Sequence, residues 1–366
     1  MNRTLCASMV SFAGLVTLQS ALAQYQLQPL WSIAPGVRPY LTTGNTERGM
    51  AYNPATGHVL LVSRAGNPNP PTINILDGTT GADLGTLPYD AGLITGGTFP
   101  INLIGVADDG AIYGGNLTIN QTTANFKLYR WANETANPTL VFDGAPAPGG
   151  TDGANNALRF GDTMDVRGAG SSTQILLGAR GNGTASILTT SDGAAFTATL
   201  VTSDAVGASA NNGPFGLGIA FGEGNTFWGK SSGGTPLREL SFDLATSSAV
   251  TIKSAGDPDV SNFIFNIGYD PATGLLAGII NNGTTSQEIS LFDVSGPTPI
   301  LLDTEAFPTA NANVNGTGAI DFGGGKVFAL DSNNGIVAYD IIPEPTEFVL
   351  LSLGLGALWF CRRRNG

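Results

Sequence analysis

Gly49-Met-Ala-Tyr-Asn-Pro-Ala-Thr-Gly-His-Val-Leu-Leu-Val62 joins two short apolar runs through a Pro-Ala-Thr-Gly turn. Far downstream, Ile267-Gly-Tyr-Asp-Pro-Ala-Thr-Gly-Leu-Leu-Ala277 repeats the arrangement with almost the same turn. Each run is too short for a stable helix, and the turn chemistry is that of a hairpin. Asn or Asp folds back on its own backbone, Pro presets φ, and Gly supplies a positive φ. Two such hairpins so far apart point to a repeated unit, and the segments between them test that idea.

Related pairs occur at Leu103 to Tyr113, Leu217 to Trp228 and Ala319 to Ala329, with a weaker copy from Thr163 to Leu177. They recur roughly every 50 residues, the length of a kelch-like propeller blade. A third strand follows most pairs and often ends in Asp, as in Ile73-Asn-Ile-Leu-Asp77 and Ile289-Ser-Leu-Phe-Asp293. A fourth follows in turn, for example Thr139-Leu-Val-Phe-Asp143. Four short strands per unit make a propeller blade. The last unit stops after its third strand at Asp340, while Leu30-Trp-Ser-Ile33 lies unmatched before the first. Pairing these two would close the ring and hide its free edges. The expectation is therefore an all-β chain whose residues 24–340 form one six-bladed β-propeller. Tandem β-sandwiches are the alternative.

Composition agrees with strands and limits the partners. Only 12% of the 366 residues are charged, and 51 are glycine. Net charge is −12, and Arg3, Arg362, Arg363 and Arg364 lie in the end segments, so the body is more acidic still. An anionic surface repels phosphate backbones, which argues against nucleic acid as a partner. The two cysteines, Cys6 and Cys361, also sit at the ends. A chain that loses both ends has neither a disulfide nor a thiolate metal site.

The ends carry their own signals. Met1-Asn2-Arg3 precedes an apolar run and then Ser20-Ala21-Leu22-Ala23-Gln24. A positive start, an apolar centre and an Ala-x-Ala site predict a secretory signal peptide over residues 1–23, cleaved by signal peptidase before Gln24. At the other end, Pro343-Glu344-Pro345 leads into an apolar stretch from Phe348 to Cys361, then Arg362-Arg363-Arg364. That stretch predicts a short apolar helix of about 21 Å, against a hydrocarbon core of ~30 Å. The arginines favour the cytoplasmic side, which leaves the bulk of the chain outside.

In this order of parts, residues 341–366 resemble the PEP-CTERM sorting signal of Gram-negative bacteria. The resemblance implies that exosortase, a membrane protease-transpeptidase, recognises Pro343, Glu344 and Pro345 and processes the tail. The protein would then be exported, held briefly at the membrane by its C-terminal helix, and left in the cell envelope or extracellular matrix. Such tails go with exopolysaccharide-producing bacteria, which makes extracellular polysaccharide the first candidate ligand.

Motifs for chemistry are sparse. His58 is the one histidine, so a Ser-His-Asp triad would need it as the base, and no Gly-x-Ser-x-Gly elbow accompanies it. The expected reading is therefore a satisfied or exposed turn histidine, with no catalytic residue assigned. Asp331-Ser-Asn333-Asn-Gly335 offers oxygen ligands at alternate positions and then Gly, the first half of a calcium loop, without the distal Glu. A turn between strands would use the same residues. No other cofactor is expected. Asp162 and Asp165 lie on or beside the weak third inner strand, near Arg159 and Arg167, so Asp162, Asp165 and Arg159 are the candidates for a polar cluster at the channel. Trp31, Trp131, Trp228, Tyr40 and Tyr113 could stack on sugars or fill the core. The leading expectation is a non-catalytic binding or structural module for exopolysaccharide or a surface protein. The alternative is a secreted carbohydrate-active or lactonase-like enzyme with a carboxylate or calcium site in the channel. Convergent acids would favour the enzyme, and an apolar plug would count against it.

Overall fold

The computed structural model describes residues 25–65, 70–150, 158–205, 213–231, 233–283 and 286–343. Strand β1 (Tyr25–Ile33) comes first. The next two sheets are β2 (Glu47–Asn53), β3 (His58–Ser63), β4 (Thr72–Asp77) and β5 (Asp83–Thr86), then β6 (Phe99–Val106), β7 (Ile112–Leu117), β8 (Phe126–Trp131) and β9 (Thr139–Gly144). Eight strands follow: β10 (Met164–Arg167), β11 (Gln174–Gly178), β12 (Thr184–Thr190), β13 (Phe196–Ser203), β14 (Gly218–Phe221), β15 (Thr226–Lys230), β16 (Leu237–Asp243) and β17 (Ser248–Ala255). The chain continues through β18 (Ile264–Asp270), β19 (Leu275–Asn282), β20 (Ser286–Asp293) and β21 (Ile300–Ala306), and ends with β22 (Gly318–Gly323), β23 (Lys326–Asp331) and β24 (Gly335–Pro343). Among the described residues the only helical element is a 3-10 turn at Gly170–Ser172. No helix among them is long and apolar enough to cross a membrane.

The two near-identical turns fold alike. Asn53 Oδ1 accepts the Ala55 N–H at 3.0 Å, and the Gly57 N–H returns to the Asn53 carbonyl at 2.8 Å. Asp270 repeats this with Ala272 at 3.0 Å and Gly274 at 2.9 Å. Gly57 and Gly274 both adopt positive φ, 76° and 71°, as the turn requires. The acids that end third strands do related work. Asp77 Oδ1 accepts the N–H groups of Thr79 and Thr80, and Asp243 Oδ1 that of Ala245, which turns the chain into the fourth strand.

The strands form a propeller-like ring. The inner strands follow one another in a closed order, β2, β6, β10, β14, β18, β22 and back to β2. An apolar cluster fills each junction. Leu60, Ile104 and Trp131 join the first two sheets, and Tyr113, Phe126 and Ile175 join the second to β10–β13. Leu330, Phe328 and Val59 close the ring between the last sheet and the first. Each sheet thus packs against two neighbours, which tandem sandwiches would not do. Strand β1 pairs with β24 to complete the last sheet, in the order β1-β24-β23-β22, as the unmatched N-terminal strand predicts.

The expectation of six separate blades needs correction. Four four-stranded sheets stand alone, and the other eight strands form one sheet, β10-β11-β12-β13-β17-β16-β15-β14. The cause is a short parallel pairing of β13 with β17, Thr202 opposite Ser248 and Ser203 opposite Ala249, which joins two four-stranded halves at their outer edges.

Candidate functional site: the two ends of the axial channel

The inner strands line an axial channel that holds two chambers. One, of about 50 Å³, lies at their N-terminal ends among Arg48, Asp162, Thr163, Leu217 and Asn266. The other, of about 290 Å³, lies at their C-terminal ends among Tyr52, Asp108, Arg167, Phe221, Tyr269 and Phe322. Met50, Ile104, Met164 and Ile320 border both chambers and form a collar between them, which Asp165, Tyr269 and Asp321 share. The collar residues also pack sideways: Met50 belongs to the cluster between the last sheet and the first, and Ile104 to the cluster between the first and the second. Space between neighbouring inner strands is short. A Cβ on Gly49 would stand 2.8 Å from both the Ile104 nitrogen and the Leu103 Cα.

Asp165 and Asp321 reach both chambers, from inner strands three places apart in the ring. Each carboxylate spans two N–H donors. Asp165 accepts from Val166 at 2.8 Å and from Phe221 of β14 at 2.6 Å. Asp321 accepts from Phe322 at 2.8 Å and from Tyr52 of β2 at 2.7 Å. Both therefore tie an inner strand to its successor through bonds to backbone donors that strand pairing leaves open. Burial pushes Asp165 up to about 6 and Asp321 up to about 7, the donors opposing the shift.

The large chamber is acidic and aromatic. Arg167 is its one cation among the described lining residues, and it is already engaged. Its guanidinium lies 4.1 Å over the Phe221 ring and donates to Gln174 Oε1 at 2.9 and 2.7 Å and to the Gly222 and Gly224 carbonyls. Tyr52 stacks on Phe328 at 5.3 Å and Tyr269 tilts against Trp228 at 5.7 Å, so the chamber meets the phenol edges. Burial raises Tyr269 to about 12.

The residues singled out in the sequence separate on this map. Asp162 and Asp165 do line the channel. Arg159 stands behind Asp162 and grips it in a fork, Nε to Oδ2 at 2.5 Å and Nη2 to Oδ1 at 2.6 Å. Asp331 and Asn333 are buried in a loop tether. Asp331 accepts amide donors from Asn313 at 2.5 Å and Asn334 at 3.0 Å, while Asn333 Oδ1 accepts the Asn45 N–H at 2.7 Å. Both residues' oxygens face nitrogen donors, the arrangement of a turn rather than of a calcium loop. Burial also pushes Asp331 up to about 7. His58 lies off the channel at the start of β3, with Nδ1 at 2.8 Å from Glu134 Oε2. Glu134 Oε1 also takes Asn53 Nδ2 and Thr56 Oγ1, both at 2.7 Å, so the group fastens one hairpin to the next sheet. Trp131, Trp228 and Tyr113 are core residues; Trp31 and Tyr40 are half-buried at the rim. Ala21, Ala23, Gln24, Glu344, Pro345, Arg362, Arg363 and Arg364 lie outside the described residues, as does the expected apolar helix, and Pro343 ends β24.

Asp321, Arg48, Tyr52 and Tyr269 were missed as channel residues. Asp321 stands before a hairpin turn, as the aligned repeats place it, so register could have paired it with Asp165. Arg48 has no repeat signal at all.

The ring is similar in fold to a solved DUF4623 family protein from Bacteroides eggerthii, with a TM-score of 0.55 and 16% identity over 81% of this chain and 71% of that one. A PQQ-bound aldose sugar dehydrogenase from Streptomyces coelicolor matches at a TM-score of 0.48 and 13% identity, over 87% of this chain and 99% of that one. At these identities the likeness is one of fold alone. No family model matches the chain, and no curated protein matches it in sequence.

Proposed function

We propose that this is an exported protein of the cell envelope or extracellular matrix, whose ring binds extracellular polysaccharide without altering it. Signal peptidase and exosortase would process its ends, and the C-terminal tail would hold it at the membrane until then. The two halves of the eight-stranded sheet would serve as two of six blades around the binding axis. The observation that carries the reading is the large chamber itself, a cup at the C-terminal ends of the inner strands lined by phenols and acids. At about 290 Å³ the cup is at the low end of ligand pockets. It suits one sugar residue, a chain end or a side branch, rather than a threaded polymer. Its phenol edges and its acids Asp108 and Asp270 offer hydrogen bonds to hydroxyl groups, and its charge favours neutral or amino sugars over acidic ones.

One observation favours the enzymatic alternative, a lyase, glycosidase or lactonase. Asp165 and Asp321 titrate near neutrality at the floor of the cup, where a general acid or base would be wanted. Their bonds to Val166, Phe221, Phe322 and Tyr52 give them a structural task that needs no substrate.

The two readings separate in one experiment. Residues Gln24 to Pro343 keep every strand, including β1 and β24, and are co-sedimented with the producer's polysaccharide, with calcium or with chelator. New reducing ends are assayed in the same tubes. Saturable binding of intact polymer supports the binding module, and sensitivity to chelator would bring calcium into the site. New reducing ends would replace the binding reading with the enzymatic one.

A further inference from the structure

The large chamber holds more hydrogen-bonding capacity than the fold itself uses. The hairpin between β6 and β7 carries two adjacent acids, Asp108 and Asp109. Asp109 serves the turn: its Oδ1 accepts the Ala111 N–H at 3.1 Å and its Oδ2 the Gly170 N–H at 3.0 Å. Asp108 is held through its backbone, whose N–H donates to the Gly168 carbonyl at 2.8 Å. Its exposed carboxylate lines the cup and accepts no hydrogen bond among the described residues. The other acids of the lining are occupied. Asp270 takes the Ala272 N–H and the Thr273 hydroxyl, and Asp165 and Asp321 hold the strand-to-strand donors Phe221 and Tyr52. The phenol rings of Tyr52 and Tyr269 are packed on Phe328 and Trp228, but neither hydroxyl has a hydrogen-bond partner among the described residues.

Charge narrows what can use these free groups. Asp108, Asp165, Asp270 and Asp321 share the lining with one guanidinium. Arg167 offsets part of their charge, since Asp108 and Asp165 both act on it. Its donors go to Gln174, Gly222 and Gly224 and its face to Phe221, so it covers none of the acids. Even with Asp321 protonated, the acids outnumber it. A concave site with low-dielectric walls focuses such a field and draws cations. A neutral hydroxyl would give Asp108 an ordinary hydrogen bond, and a protonated amine a charge-assisted one, roughly twice as strong. The phenols ask for the opposite partner. Burial and the charges of Glu223, Glu239 and Asp270 push Tyr269 up to about 12, so its hydroxyl keeps its proton and donates to an oxygen. Asp108 follows β6 and Tyr269 lies on β18, three places apart in the ring, so a ligand between them is held at an amine on one side and an oxygen on the other.

We infer that the cup is an amino-sugar site, in which the protonated amine of an unacetylated hexosamine docks on the Asp108 carboxylate and the Tyr52 and Tyr269 hydroxyls donate to the sugar's oxygens. The inference rests on the sugar-binding reading of the cup and narrows its ligand class. Asp165 and Asp321 keep their bonds to the backbone and act on the amine through their field, not by contact.

The test is calorimetric titration of the full chain in detergent with glucosamine, N-acetylglucosamine and glucose. Ionic strength is low and the pH is about 6, below the ~7.7–8.0 of an α-amino group, so the amine is charged. Glucosamine should bind about three- to fivefold more tightly than either neutral sugar, the scale of a solvent-exposed ion pair. Sodium chloride at about 0.5 M should erase that preference. Asp108→Asn should bind all three sugars alike and unfold at the parent's Tm, since the carboxylate makes no hydrogen bond within the described fold. Asp108→Glu should retain a preference for glucosamine. Asp90→Asn, which removes an acid of the link between β5 and β6 outside the cup, should behave as the parent does. Equal binding of the three sugars by the parent would overturn the amine seat and leave the cup as a sugar site. A preference that survives in Asp108→Asn would do the same. No binding of any of the three would remove the cup as a sugar site, and this inference with it.

Discussion

The two ends of one channel are built from the same six strands and differ in nearly every property. At the N-terminal ends the chamber is small, with the buried Arg48 and Asp162 facing each other in its lining. At the C-terminal ends it is larger, acidic and edged by phenols. The difference arises in the connections. Inner strands end in tight hairpins such as Asn53-Pro54-Ala55-Thr56-Gly57, whose turn acids and small residues leave an open cup. They begin after longer links between sheets, such as the one that carries Arg159 and Asp162 ahead of β10. A repeat that fixes the strands leaves the two mouths free to diverge.

The collar between the mouths is the first place to break this comparison. Met50→Ala and Ile104→Ala each remove buried apolar volume, and each should cost about 2–5 kcal/mol in denaturant unfolding. The pair should also merge the chambers and weaken sugar binding in the larger one. Gly49→Ala comes next. Its methyl group would press on the backbone of β6 at 2.8 Å, and ~1–3 kcal/mol is expected from such overpacking.

Three buried acids, Asp165 and Asp321 in the channel and Asp331 in its loop tether, sharpen the comparison through pH. Asp321 and Asp331 near 7 and Asp165 near 6 all stand above the ordinary 3.8 because of burial. Between 3.8 and about 7 the folded protein keeps protons that the unfolded chain has shed. Stability from these groups is therefore full below about pH 4 and declines as pH rises toward 7. Asp77, Asp192, Asp204 and Asp243 run the other way. Hydrogen bonds hold them below 3.8, so their contribution is present above that value and is lost as pH falls under it. Tm should peak in the weakly acidic range, and Asp321→Asn should flatten the fall toward pH 8. A Tm that climbs steadily from pH 5 to pH 8 would contradict this. The smallest effect is expected at His58. Its pairing with Glu134 is partly exposed, so His58→Ala should cost no more than ~1 kcal/mol and leave polymer binding unchanged.

The hairpins, the turn acids and the closure by β1 were legible in the sequence because each is local chemistry or an edge that needs a partner. Fusion of two units into one sheet was not. It rests on Thr202, Ser203, Ser248 and Ala249, small residues with no pattern that marks a parallel pair. The candidate site was half legible. Asp162 and Asp165 were found from their place on an inner strand, and Asp321 could have been found the same way. Arg48 could not, since its importance comes from Arg159 and Asp162, more than a hundred residues away in sequence and brought close only by the closed ring. The Asp-Ser-Asn-Asn-Gly loop misleads for a related reason. Its ligand-like spacing is real, but the donors that face it come from Asn313 and Asn45 in other loops.

The central claim, a cup that binds sugar and does no chemistry on it, is tested most directly with Asp165→Asn/Asp321→Asn. The double variant and the parent are saturated with the producer's polysaccharide, and reducing ends are followed over time. Neither protein should release new ends, and both should bind the polymer with the same midpoint. Ends released by the parent and not by the variant would show that the two carboxylates are reactive groups and that the cup is an active site.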